Sequence, residues 1–189
     1  ISQRLDESGI PRLWISRHGR KAPFDLSTSD FQWQLRDDDE VSKVAQEVFG
    51  SNGAKPRRIL ASPFHRTVRT ACIYAVHAGL NVISIEPGLC EVLTPSLGCR
   101  TPASGSQVPT WTLEELERVA AAYGVSIDET YVPVVSADEL RMETDAEDRT
   151  ETRQRIQAFY KARLCPTDRS TTSSDFLVTH ERAGKILLR

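Results

Sequence analysis

The 189-residue chain has no apolar run approaching the ~20 residues that a bilayer span requires. It has no excess of positive charge either: 24 Lys and Arg stand against 26 Asp and Glu, a net charge of −2. No global field therefore recruits nucleic acid or an anionic membrane, and neither is expected as a partner. Cysteine is scarce, and Cys72, Cys90, Cys99 and Cys165 show no C-x-x-C spacing. With four histidines scattered at 18, 65, 77 and 180, no metal site is supported and no cofactor is expected. Buried free thiols in a cytoplasmic protein suit this spacing better than a Cys90–Cys99 bridge. The chain starts at Ile1 and shows no charged segment leading into an apolar one. A processed form or a piece of a longer protein is the expectation.

What is present is an ordinary globular balance. Hydrophobic residues make up 39 % and charged residues 26 %, which is neither disordered nor fibrous, and the length predicts one domain over 1–189. Four short, nearly continuous apolar runs read as buried parallel strands: Leu13 to Ser16, Arg58 to Ala61, Val82 to Glu86 and Phe176 to Thr179. Helical patterns lie between them. Val41, Val44, Ala45, Val48 and Phe49 share one face before Gly50, and Asp37 to Glu40 read as the solvated N-terminus of that helix. Ser62-Pro63 reads as N-cap and first residue of a second helix that Gly79 closes. Thr112 and Glu115 form a capping box ahead of a third helix ending at Gly124, and a fourth runs from about Thr150 to Cys165 before Pro166. Strands alternating with helices predict an α/β three-layer sandwich with a mostly parallel central sheet flanked by helices. Two stretches break the rhythm: Thr94 to Thr110 reads as a functional loop and Thr167 to Asp175 as a mobile connector.

Ligands of open α/β sheets sit beyond the carboxyl ends of the strands. The first strand delivers Arg17-His18-Gly19, then Arg20 and Lys21. The second delivers Ser62-Pro63-Phe64-His65-Arg66, the third Glu86-Pro87-Gly88-Leu89-Cys90-Glu91, and the last Thr179-His180-Glu181. Guanidinium forks from Arg17 and Arg66 match phosphoryl oxygens. A neutral His18 is able to attack phosphorus and become a phosphohistidine. Gly19 permits close backbone approach. His180 donates to the charge on the equatorial oxygens, and Glu91 protonates the leaving oxygen and then activates water. Cationic side chains supply the charge that Mg²⁺ would otherwise provide. His65 reads as a solvent-contacting residue at a helix start, His77 has no role, and Trp14 and Trp33 read as packing residues. Trp111 stands where it could close the long loop over a substrate. Ser16 and Ser62 lack a base and orienter, which argues against serine hydrolysis.

Arg17-His18-Gly19, the run Ser62-Pro63-x-x-Arg66-x-x-x-Thr70-Ala71, Glu91 and Val178-Thr179-His180 together resemble the histidine phosphatase, or phosphoglycerate-mutase-like, superfamily. The likeness spans Leu13 to about Gly184. Glu86 to Glu91, Trp111 and Asp128 to Pro133 are similar to the subgroup containing the suppressor of T-cell receptor signalling phosphatases and ecdysteroid-phosphate phosphatase. The resemblance implies metal-independent phosphomonoester hydrolysis of a phosphorylated protein or small molecule. It gives catalytic roles to His18, Glu91, His180, Arg17 and Arg66, and phosphate binding to Arg17, Lys21, Arg66 and His180. Members of that subgroup often form dimers, so a homodimer is one expectation and the monomer the other.

The chain departs from the family pattern in several places. Lys21 stands where the subgroup carries an Arg, so the bidentate fork is lost there. Glu181 follows the second His in place of a small residue, and it is the rival proton donor, placed as in the acid-phosphatase branch. Nine residues follow His180, short of the final helix and strand that relatives carry. A catalytically weak, phosphatase-like binding or scaffold module is the alternative from a different class. A phosphoglycerate-type mutase fits less well, since Arg20-Lys21-Ala22-Pro23 does not match its motif. A histidine acid phosphatase fits Arg17 to Pro23 except at Lys21.

Overall fold

Short apolar runs without alternation bury both faces of a strand, and all four predicted runs enter one sheet. The computed structural model describes residues 13–22, 35–50, 53–92, 111–142, 150–164 and 174–188. Its strands are β1 (Leu13–Arg17), β2 (Arg58–Ala61), β3 (Val82–Ile85), β4 (Ser126–Ile127) and β5 (Asp175–Thr179), in the spatial order β1-β5-β2-β3-β4. Every neighbouring pair is parallel. β4 has no counterpart among the predicted runs; two residues are too few to show a period, and only pairing with Val82 and Ile83 defines them. The last strand crosses back to lie between β1 and β2, so Arg17 pairs with Thr179 and Ala61 with Val178.

The helices are α1 (Asp38–Phe49), α2 (His65–Ala78), α3 (Leu113–Ala121), α4 (Thr150–Phe159) and α5 (Glu181–Leu187). Successive strand residues point to opposite faces. Ile59, Ala61, Phe176 and Val178 pack with Val41, Ala45, Val68, Cys72 and Leu116 of α1, α2 and α3. Leu60 and Leu177 face the other way and meet Phe159 of α4, Leu89 and Leu187 of α5. The result is the expected three-layer α/β sandwich with a parallel sheet. Among the described residues no helix is long and apolar enough to cross a membrane.

Local signals explain most helix ends. Asp37 caps α1 by accepting from the Asp39 N–H at 2.8 Å, and Asp38, Asp39 and Glu40 fill the first turn. The Thr112–Glu115 capping box is formed at α3. Gly79 ends α2 at φ 73°, a left-handed conformation that a Cβ would disfavour. Ser62-Pro63 is a correction. The helix starts two residues later, with Phe64 at the cap position and no side-chain capping bond, because the Ser62 hydroxyl is engaged by His180. The fourth helix also differs from a continuous one: it widens into a π-turn over Tyr160–Leu164. Asp175 belongs to β5 rather than to a connector, buried and held bidentately by Arg58 at 3.3 and 2.6 Å. The loop Thr94 to Thr110, Trp33, Cys99, Cys165 and the stretch 167–173 lie outside the described residues.

Phe176 is the aromatic hub of the larger core, with ring centroids 5.1 Å from Phe49, 5.3 Å from Tyr74 and 6.5 Å from Trp14. Phe176→Ala is expected to lower unfolding stability by about 3–5 kcal/mol, measured by denaturant titration. A loss below about 1 kcal/mol would show that the ring is not packed in this way.

Candidate active site

Two imidazoles and one guanidinium meet at the carboxyl edge of the three adjacent strands β1, β5 and β2. His18 leaves β1 with its backbone N–H bonded to the Thr179 carbonyl at 3.0 Å. Its Nδ1 lies 2.6 Å from the Gly19 carbonyl, a contact that only an N–H can make favourable. The proton therefore resides on Nδ1 and the lone pair on Nε2. Arg66, in the first turn of α2, donates its Nε–H to that same Nε2 at 3.1 Å. The other arm of Arg66 reaches His180 Nδ1 at 3.3 Å. That nitrogen accepts, so His180 carries its proton on Nε2 and donates it to the Ser62 hydroxyl at 3.0 Å. The imidazole rings of His18 and His180 are 5.1 Å apart, edge to face.

Burial sets the protonation state of the pair. His18, Arg66 and His180 are all buried. Loss of solvent and, next, the neighbouring Arg66 charge push the His18 imidazole down to about 3. Arg17 and Lys21 add to this effect, while the Gly19 carbonyl opposes it. His180 is likewise driven well below the ordinary histidine range by burial first, then by Arg66 and His18. Both rings are neutral at pH 7, and His18 presents an unprotonated nitrogen.

Gly19 has a different physical reason from the expected one. A Cβ there would be driven into Val41 Cγ2 and would press on Leu35 Cδ2 at 3.1 Å. The motif glycine is required because α1 packs directly over the turn after β1. Its N–H also donates to Thr70 Oγ1 at 3.1 Å, which in turn donates to the Arg66 carbonyl at 2.7 Å. Thr70 thus ties the His18 turn to the Arg66 helix.

A cavity of about 1050 Å³ opens beside His18, and Arg17, Lys21, Glu91 and Glu181 line it too. Arg66 and His180, both buried, are not among its lining residues. Arg17 is half exposed and paired with Glu181 at 2.9 Å. Glu181 also accepts from Lys185 at 2.7 Å, and these partners, Lys185 first, hold its carboxyl below the usual range. Glu91 is half-buried and accepts from the Val92 N–H at 2.9 Å. Of the two candidate acids, Glu181 is the one tied up in ion pairs, with Arg17 and Lys185.

The sequence reading missed Arg155. From α4 it donates to the carbonyls of Pro87, Gly88, Cys90 and Glu91 at 3.0–3.3 Å, clamping the segment that ends in Glu91. Glu86, at the start of the run that ends in Glu91, is structural: fully buried, it accepts from the Gly88 N–H, the Tyr131 hydroxyl and the Val134 N–H. Nothing in a linear pattern marks Arg155, because its partners are backbone carbonyls 64–68 residues away. His65 is a second correction. It is buried against Trp111, with ring centroids 5.2 Å apart, rather than in contact with solvent. Ser62 is fully buried between His180 and the Cys90 thiol, so it is no exposed nucleophile. Cys72 and Cys90 are buried free thiols.

His18 makes stability depend on pH. Unfolded it titrates near 6.5 and folded near 3, so between these values the unfolded chain holds the extra proton. Stability is then lost as pH falls from 6.5, by about 1.4 kcal/mol per pH unit from this group. His18→Gln is expected to flatten the fall in melting temperature between pH 6.5 and 4 relative to wild type. Parallel curves would mean that His18 titrates normally in the folded protein.

No known family's sequence profile matches the chain, and no curated protein sequence matches it. Solved structures do. The ecdysone phosphate phosphatase from Bombix mori, in complex with tungstate, superposes with a TM-score of 0.67 at 18 % identity over 93 % of this chain and 75 % of that one. A mycobacterial glucosyl-3-phosphoglycerate phosphatase complexed with VO3 gives 0.55 at 19 % identity, covering 94 % and 80 %. Its complex with inorganic phosphate gives 0.52 at 18 % identity, covering 94 % and 77 %. At these identities the likeness establishes the architecture, and the chain has the phosphoglycerate-mutase-like fold that its four strand-end motifs imply.

Proposed function

We propose that this chain hydrolyses phosphate monoesters through a phosphohistidine at His18 Nε2, without a metal ion. The observation that carries this reading is the orientation of His18. Its Nδ1 proton is held by the Gly19 carbonyl and its Nε2 lone pair meets the Arg66 N–H, in a ring kept neutral by burial. The neighbours in fold that are named phosphatases, in complexes with tungstate, VO3 and phosphate, support it as well.

Chemistry follows from the positions. A phosphate dianion entering the cavity meets Arg17 and Lys21 at its wall. The Arg66 Nε–H shifts from His18 Nε2 to an equatorial oxygen, freeing the lone pair at the moment charge needs stabilising. Nε2 bonds to phosphorus, the P–O bond to the alcohol breaks, and Glu91 delivers its proton to the departing oxygen. The Glu91 carboxylate then takes a proton from water, whose oxygen attacks phosphorus. The P–N bond breaks, releasing inorganic phosphate and neutral His18. Glu91 suits the acid role because it lines the cavity while Glu181 is engaged by Lys185 and Arg17. The buried thiols of Cys72 and Cys90 support a cytoplasmic location.

The test is hydrolysis of p-nitrophenyl phosphate in EDTA. Wild type should turn over, and His18→Ala should lose more than about a thousandfold in kcat while remaining folded. Retention of about a tenth of the rate would overturn the nucleophile assignment, and folded protein that binds phosphate without any turnover would leave a binding module.

Arg155 is a positioning residue in this scheme, acting through the Glu91 segment. Arg155→Ala should lower kcat with little change in KM, and more for phenyl phosphate than for p-nitrophenyl phosphate, because the poorer leaving group depends more on its acid. Arg155→Lys should restore part of the rate. Equal losses on both substrates would count against a role through Glu91.

A further inference from the structure

The cavity beside His18 is larger and more basic than a phosphoryl group requires. We infer that it takes small phosphomonoesters whose alcohol part has an apolar face and bears a second anionic group, held by Arg153 and Arg182. This rests on the phosphatase reading above and names the substrate class of the same site. At about 1050 Å³ the cavity has the volume of a whole small-molecule site, typically about 300–1,000 Å³, with the phosphoryl group filling only one corner.

Its far wall is built by α4 and the chain from α5 onward. Arg153 and Gln157 lie one turn apart on one face of α4, and α5 contributes Arg182, Lys185 and Ile186. Tyr160, Ile186 and Leu188 supply apolar surface to the same lining. The alcohol of the substrate therefore meets both hydrocarbon and positive charge.

Charge decides the second anion. Among the described residues the lining carries five cations, Arg17, Lys21, Arg153, Arg182 and Lys185, against two carboxylates, Glu91 and Glu181. Glu181 already serves Arg17 and Lys185. Neither Arg153 nor Arg182 is in a hydrogen bond or ion pair among the described residues. A monoester dianion cancels two of the three excess charges, and Glu91 becomes neutral when it is protonated to act as the acid. A positive field remains over the apolar part of the cavity, in a chain whose overall charge is −2. Such a field in a concave, partly apolar wall favours an anionic substituent over a neutral one.

Two phosphonates that cannot be hydrolysed separate this from the catalytic reading: benzylphosphonate and 4-(phosphonomethyl)benzoate, titrated calorimetrically into the full chain. The carboxylated compound should bind at least about tenfold more tightly at low salt, and the ratio should shrink as salt is raised. In Arg153→Ala/Arg182→Ala, and more mildly in Arg153→Gln, the ratio should fall toward one. Equal affinity of the two compounds, including no binding of either, overturns the proposal, as does a preference that survives both variants. Turnover of p-nitrophenyl phosphate is followed alongside. Turnover without the acidic preference removes only the anion subsite, whereas the preference without turnover keeps the subsite and removes the hydrolase.

Discussion

Arg66 is the constraint on which the site depends. A guanidinium with no exposed surface has lost its hydration, and only well-placed acceptors make its burial tolerable. Two of those acceptors are His18 Nε2 and His180 Nδ1, and its plane also rests 4.7 Å from the Phe64 ring centroid. Because Arg never gives up its proton, it dictates that each imidazole nitrogen facing it be a lone pair. Tautomer and orientation of the two histidines thus lean on one buried cation at the start of α2, while their own burial is the larger cause of their neutrality.

The surrounding fold keeps that arrangement rigid. Thr70 connects the Gly19 amide to the Arg66 carbonyl, and Gly19 has no side chain because Val41 and Leu35 occupy the space. The Thr179 hydroxyl donates to the Leu89 carbonyl at 2.7 Å, joining the strand before His180 to the segment before Glu91. Arg155 closes the same segment from the opposite layer. Groups from β1, α2, β5 and α4 are therefore cross-linked by polar contacts buried wholly or in part, which favours a single geometry over a mobile cluster.

The two sides of His18 differ in electrostatic character. Beside it lie Arg66 and His180, both desolvated. In front lie Arg17, Lys21 and the α4 and α5 arginines, in reach of solvent and able to rearrange around an anion. Glu181, absent from the family pattern at that position, pairs with Arg17 and Lys185 and so tempers the front of the cavity.

Much of this was legible in the linear order of residues. Four apolar runs each followed by a polar motif imply parallel strands, and parallel strands bring their carboxyl ends to one edge; Arg17-His18-Gly19, Ser62 to Arg66 and Thr179-His180 meet there as a consequence. The acidic helix start at Asp37 to Glu40 and the capping box at Thr112 were readable because both are local signals between residues a few positions apart. What the linear order left open were contacts between distant segments: the two-residue β4, the Arg155 clamp on four carbonyls, the burial of His65 under Trp111, and the diversion of Ser62 from a helix cap to His180. The division has a physical cause. Periodicity and capping are local properties that the sequence determined by itself, whereas backbone carbonyls, desolvation and the partner of a buried charge exist only once the layers have packed, and these the tertiary structure alone decided.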